Sequence, residues 1–455
     1  MQVASTSRAA TARMARPGAR SSATLAAGSP RIIRESCLLE CVLNVRVHLL
    51  PTSARAPAKQ AAYSVLMELG AATRHRVGPV GRRPNPNRAV TGLVRLRRIA
   101  LVAAIVALVP VAFSYWGAMS QPSNSSLGIR TVEWLRDNGA AGVVARVESI
   151  YYSLTAPSKG GPTLRTLPKV GDGASAARVA VNTEYRPARV HAMLHPALPG
   201  EGVWHATRPS LEADPPVLLA TVRDQPEYPR VVAGLAWIDT KRTTVTLNPG
   251  RLEPSVTIPR GAMDVPHADR PRLVASFNSG FKLSDSNGGF VLGGHTYASM
   301  SDGQGTLVGY ADGRVDVIDW SYGTTAPPGV SFARQNLPLI VDEGKANPNL
   351  ANDAEWGATV GNAVLVWRSG IGVDVHGNLI YAAGENQTVS SLARVLIRAG
   401  AVRAMELDIN SYWVSFISYG MPGAEEPKNL LPAMNRSATR YLEPDDRDFF
   451  AVYER

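Results

Sequence analysis

Residues 367–410 read WRSGIGVDVHGNLIYAAGENQTVSSLARVLIRAGAVRAMELDIN. The pattern is a strand hairpin, a helix and a further strand. Successive side chains of a strand point to opposite faces, so Arg368, Gly370, Gly372 and Asp374 share one face while Ile371, Val373 and Val375 share the other. The same alternation places Glu406, Asp408 and Asn410 together, with Met405, Leu407 and Ile409 behind them. Carboxylates, an amide and an Arg can therefore converge. Between the strands Leu392, Val395, Leu396 and Ala399 recur at helical spacing, and Gly400 stands where a helix is often closed.

Working outward, short β-rich runs bounded by Pro, Gly, Asn and Asp recur from 182 to the end of the chain. They are Val217–Val222, Val232–Ile238, Thr243–Leu247, Leu273–Phe277, Thr306–Tyr310, Val315–Ile318, Leu339–Val341, Ala363–Trp367, Ile371–Val375 and Leu379–Tyr381. Asp312-Gly313 and His376-Gly377-Asn378 supply hairpin turns. Many strands with one inserted helix predict an α+β domain over 182–455, a mixed, strand-rich sheet fold. No internal repeat period points to a propeller or solenoid.

The N-terminal part has a different character. Residues 1–98 hold 17 Lys and Arg against three acids, leaving 31 against 34 in the remainder, so the overall +11 belongs to the tail. The globular part is near neutral, which argues against nucleic acid as a partner. Residues 1–97, rich in Ala, Arg, Pro and Ser and without periodicity, predict a disordered cytoplasmic tail. Both cysteines, Cys37 and Cys41, fall within it, so no disulfide is expected in the domain.

Residues 99–119, IALVAAIVALVPVAFSYWGAM, are uncharged over a length that matches the ~20 residues a bilayer requires. A transmembrane anchor is predicted over 98–119. Arg95, Arg97 and Arg98 precede it and no charge follows before Arg130, which places the N-terminus in the cytoplasm and the domain outside. A cleaved signal peptide is the competing reading, with Gly117 and Ala118 near a cut; the length of the run favours the anchor. Residues 120–181 divide into a juxtamembrane helix, Leu127–Leu154, broken at Gly139 and Gly142, and a Pro, Gly and Ser linker.

Phosphate-loop, dinucleotide, zinc-protease and nucleophile-elbow motifs are all absent, and the eight histidines lack ligand spacing, so no metal or other cofactor is expected. Asn278-Ser279-Gly280-Phe281 turns the chain after a strand and leads into a Gly- and Asn-rich loop, a place where a ligand can approach backbone.

Taken in order, Asn-Ser-Gly-Phe at 278–281, Trp-Arg-Ser-Gly-Ile-Gly-Val-Asp at 367–374 and Leu-Asp at 407–408 resemble the phosphodiester glycosidase family, which includes the lysosomal uncovering enzyme. The resemblance covers roughly 200–450. It implies an α+β fold with a mixed sheet and removal of a sugar from a phosphodiester, and it matches Asn278, Arg368, Asp374 and Asp408 to family positions. Two departures stand out. Ile409-Asn410-Ser411 occupy the place of a glycine run, and Ser369-Gly370 that of Thr-Ala.

Cleavage of a sugar 1-phosphodiester needs a cation on the phosphate, a carboxylate for water or an oxocarbenium-like centre, and amides for the hydroxyls. Arg368 suits the first role through its planar fork. Asp408 suits the second, with Glu406 as partner. Asn278 and Asn410 suit the third, with Asp374 on the same face as Arg368. An envelope-facing hydrolase of a phosphodiester-linked sugar is one expectation. The alternative is a carbohydrate-binding or envelope-assembly module that has kept the fold without the chemistry, as the altered Leu-Asp-Ile-Asn-Ser segment would allow. Tyr412, Trp413 and Phe416 offer rings for stacking on a sugar under either.

Overall fold

The computed structural model describes residues 86–170, 186–208, 215–357 and 365–455. The tail from 1 to 85 with its two cysteines, the first residues of the expected domain (182–185) and the last part of the expected linker (171–181) lie outside these. The chain divides into two compact units, 1–98 and 99–455. Nearly all described residues belong to the second.

Helix α1 spans Pro86–Ser120. From Val94 to Ser120 it is long and apolar enough to cross a membrane, with none of this stretch buried in protein. Its side chains from Ile99 to Phe113 are exposed. The expected juxtamembrane helix is two: α2, Leu127–Leu135, and α3, Ala141–Thr155, joined by an irregular turn at Arg136–Ala140. The break falls at Gly139, whose φ of 88° lies in the left-handed region; Gly142 continues helical.

Three antiparallel sheets make up the domain. The first orders its strands His205–Ala206, Val217–Arg223, Val232–Ile238, Leu379–Gln387, Val366–Val373, Arg403–Glu406, Leu339–Asp342 and Lys345–Ala346. The second runs His295–Ala298, Phe290–Leu292, Val330–Gln335, Gly305–Tyr310, Val315–Asp319. The third runs Glu425–Asn429, Phe416–Met421, Leu273–Asn278, Phe449–Glu454, Thr243–Asn248. Every pairing among the described residues is antiparallel, so the mixed sheet implied by the family resemblance is replaced by an antiparallel one. Helix α4, Val389–Arg398, covers one face of the first sheet. The opposite face packs on the other two sheets through Ile371, Tyr381, Met405, Leu407, Phe277, Phe332, Phe416 and Phe450.

The stretch 366–406 occupies the middle of the first sheet. Val366–Val373 is one continuous strand, fully buried, so alternation there separates two interior faces rather than core from solvent. Its turn begins at Asp374, whose Oδ1 accepts the backbone N–H groups of His376 and Asn378 at 2.8 and 2.9 Å. Thr388 caps α4 reciprocally with Ser391. The helix lies close because position 370 is Gly: a Cβ there would stand 2.9 Å from the Met405 carbonyl oxygen and 3.1 Å from a Leu396 methyl. The third strand ends at Glu406, yet the chain stays paired beyond it, with Leu407 N–H on the Ser369 carbonyl and Ser369 N–H on that of Asp408.

Several strands carry buried charge. Asp445-Asp446-Arg447-Asp448 precedes the last strand and is buried throughout, because each acid has an Arg. Arg440 and Arg436 meet Asp445, Arg251 meets Asp446 at 2.7 Å, and Arg334 meets Asp448 at 2.8 Å. Such pairs let charged side chains enter an interior that would otherwise exclude them.

Candidate functional site

Asp408 sits where the central strands run out. The irregular segment after Glu406 turns its side chain away from the helix-covered layer and into the wall of a cavity of about 490 Å³. Oδ1 accepts the Asn410 backbone N–H at 2.9 Å, and Oδ2 faces Arg447 Nη2 at 3.4 Å. Arg447 also donates to the Gly280 carbonyl at 3.2 Å, at the end of the Asn-Ser-Gly-Phe turn, and lies over the Trp413 ring at 5.1 Å.

The opposite wall is the α2–α3 hairpin. Glu133, Arg136, Asp137, Ala145, Glu148 and Tyr152 line the cavity from this side, and Phe281, Lys282, Ile409 and Asn410 from the domain. Lys282 Nζ bridges the two walls, 2.5 Å from Glu133 and 3.2 Å from Asp137. Arg136 pairs with Glu133 at 3.0 Å and with Glu148. Ile409 packs with Val366, Tyr152 and Phe281, and the Tyr412 hydroxyl accepts the Ser126 N–H at 3.0 Å. The Ile-Asn-Ser-Tyr segment that stands in place of a glycine run is thus the seat of the hairpin.

Burial raises the Asp408 carboxyl to about 6; Arg447 works against this and the charge of Glu133 reinforces it. One contact at 3.4 Å does not offset the loss of solvent. Glu133 has the opposite balance. Burial acts to raise it, but Lys282, Arg447 and Arg136 together hold it below the ordinary carboxylate range. Burial lowers Arg447, and Asp408, Glu253 and Glu133 outweigh it, so its net shift is upward. Of the carboxylates that line the cavity, Glu133 is thus held ionised and Asp408 is able to take a proton near neutrality.

Of the residues singled out in the sequence, Asp408, Asn410 and Trp413 line this cavity. Arg368 does not. It lies in the layer beneath α4, with Nη1 2.5 Å from Glu406 Oε1 and 2.8 Å from the Trp356 carbonyl, and Nε on the Gln387 carbonyl. Glu406 is fully buried there, raised by burial against the pull of Arg368. Both precede the irregular segment, so they keep the strand's direction while Asp408 leaves it. Asn278 is interior too. Its amide donates to Ser369 Oγ at 3.1 Å and its oxygen accepts from Tyr381 Oη and Ser415 N–H, fixing the backbone that carries Asp408. Asp374 closes the hairpin turn at the far end of its strand, where Trp237 Nε1 also reaches it at 3.3 Å.

Arg447, Lys282 and Glu133 join the site without having been legible as members. Arg447 lies in a charged run that resembles a solvated edge, and Glu133 is a polar position in an amphipathic helix. The position of Lys282, directly after Phe281, was the available signal. Among the described residues no group of three His, Cys, Asp or Glu is placed to hold a metal ion.

No family model matches the chain, and no curated protein matches it. Among solved structures it is similar to the catalytic domain of zebrafish N-acetylglucosamine-1-phosphodiester alpha-N-acetylglucosaminidase, auto-inhibited by its pro-peptide: 16% identity over 53% of this chain and 85% of that one, TM-score 0.38. A hypothetical protein from Synechocystis shares 14% identity over 54% of this chain and 65% of its own, TM-score 0.29. A protein of Burkholderia pseudomallei shares 10% identity over 50% of this chain and 75% of its own, TM-score 0.29. These values describe a distant likeness of fold.

Proposed function

We propose that the Asp408 cavity is the active site of a membrane-anchored hydrolase that cleaves the glycosidic bond of a phosphodiester-linked sugar. The observation that carries this is a buried carboxyl raised to about 6 that faces Arg447 at 3.4 Å in the wall of a cavity. In this reading Asp408 takes the proton of a water as its oxygen bonds to the anomeric carbon, and the bond to the phosphate oxygen breaks. A phosphate monoester leaves without needing a strong general acid. Arg447, with Lys282 beside it on the domain wall and Arg136 across the cavity, receives its charge, which is the role expected of Arg368. Glu133, kept ionised, stabilises positive charge at the anomeric carbon. Asn410 and Trp413, which line the cavity, would contact the sugar hydroxyls and ring. The basic residues before α1 support a domain on the non-cytoplasmic side.

The test is hydrolysis by the purified full chain of sugar 1-phosphodiesters beside the matching simple glycosides. Preference for the phosphodiesters, with KM raised about tenfold or more by Arg447→Met in a folded variant, supports the reading. Turnover of neither class, with glycan binding intact, establishes a binding module instead.

A further inference from the structure

Helix α2 folds back along the end of α1. Thr131 and Tyr115 share a hydroxyl hydrogen bond at 3.0 Å, Trp134 Nε1 donates to Ser114 Oγ at 3.1 Å, and the Trp134 and Tyr115 rings meet edge to face at 5.3 Å. Arg130 Nη2 donates to the carbonyls of Gln121, at 2.8 Å, and Ala118. Rising positions on α2 meet falling positions on α1, so the two run antiparallel. Ser114 lies six residues before the end of α1 at Ser120, ~9 Å at the rise of an α-helix. The tip of the hairpin, which carries Arg136 and Asp137 of the cavity, therefore reaches back past the end of the apolar span.

Helix α3 has two faces. Ala141, Ala145, Glu148 and Tyr152 line the cavity. At ~100° per residue these fall within one narrow arc, and Val143, Val147, Ile150 and Leu154 fall within another, about half a turn away. This second set is bare: 67%, 63%, 58% and 82% exposed. An unbroken stripe of four large apolar side chains, flanked by the exposed Arg146, is the pattern of a helix lying in a membrane interface.

We propose that the outer stripe of α3 rests in the headgroup–acyl boundary of the bilayer that α1 spans, and that the cavity behind it takes a sugar phosphodiester whose second ester is a lipid. The occupant follows from continuity. The stripe belongs to the hairpin bonded to α1, whose exposed apolar stretch is long enough to cross a membrane. A cavity whose wall lies in that boundary meets substrates held at the same depth. The substrate class rests on the hydrolase reading; the membrane surface does not.

The experiment uses the full chain in proteoliposomes. On a Cys37→Ser, Cys41→Ser background, Val147→Cys, Leu154→Cys and, as control, Lys345→Cys each receive an environment-sensitive fluorophore. Lys345 lies on an exposed strand of the first sheet. Nitroxide-labelled lipids quench the fluorophores at 147 and 154 several-fold more than at 345. Equal quenching at all three positions overturns the proposal. So does shielding at 147 and 154 without lipid quenching, the mark of a second copy or another protein on the stripe. In a second arm, Val147→Glu and Leu154→Glu lower turnover of a lipid-linked sugar phosphodiester in vesicles at least tenfold and leave a short-chain soluble analogue unchanged. An equal loss on both substrates overturns the lipid substrate. No turnover of either by the parent chain overturns the hydrolase reading and the lipid substrate together, and the quenching still decides the surface.

Discussion

Asp408→Asn should stabilise the protein at neutral pH while removing its activity. The Asp408 carboxyl has a folded value of about 6 against an ordinary 3.8, so folding favours its protonated form. For a raised group the favourable contribution is complete below the unfolded value and is lost as pH rises through the folded one. Two units correspond to about 3 kcal/mol at pH 7.5 and to nothing near pH 3. Asn keeps an oxygen for the Asn410 N–H and removes the buried charge, at the cost of the contact with Arg447. A net gain of about 1–3 kcal/mol follows, roughly 3–10 °C in Tm for a domain of this size. Thermal unfolding of parent and variant across pH 4 to 8 measures it. The gap in Tm should open between about pH 4 and 6. A variant less stable than the parent at pH 7.5, or a gap independent of pH, refutes the reasoning.

Arg368→Met should cost about 3–5 kcal/mol in urea unfolding, because it leaves Glu406 buried and unpaired, and Arg368→Met with Glu406→Leu should recover most of that loss. Thr388→Ala removes the N-cap of α4 and should cost about 1 kcal/mol in the same assay. Burial acts to raise Asp445, but Arg440 and Arg436 hold it down at about 2. Its contribution, about 2 kcal/mol, is present above the ordinary value of 3.8 and disappears as pH falls through 2, so Asp445→Asn should lose stability at pH 7 and differ little from the parent near pH 2.

The stretch around residues 367–410 was legible because its elements obey local rules: period-two strands, a capped helix with an apolar face, and Gly at the close approach. The strands Val330–Gln335, Phe416–Met421 and Phe449–Glu454 were not. Arg334 is buried within the first of these, and the last follows four buried charges; both become possible only through partners distant in sequence. The site shows the same division. Alternation placed Asp408 beside Glu406 and Arg368, and holds as far as Glu406. Asp408 enters the cavity because the strand ends before it. Glu133 arrives from a helix some 270 residues upstream, seated by Ile409, and no local pattern encodes that meeting.

The role proposed for Asp408 is to perform the chemistry in this cavity. Its most direct test is the pH dependence of kcat/KM for a sugar 1-phosphodiester, with the full chain and with Asp408→Asn. The rate should rise with pH through an apparent pKa near 6 and fall about 10²–10⁴-fold in the variant, which remains folded. Undiminished turnover by Asp408→Asn contradicts it.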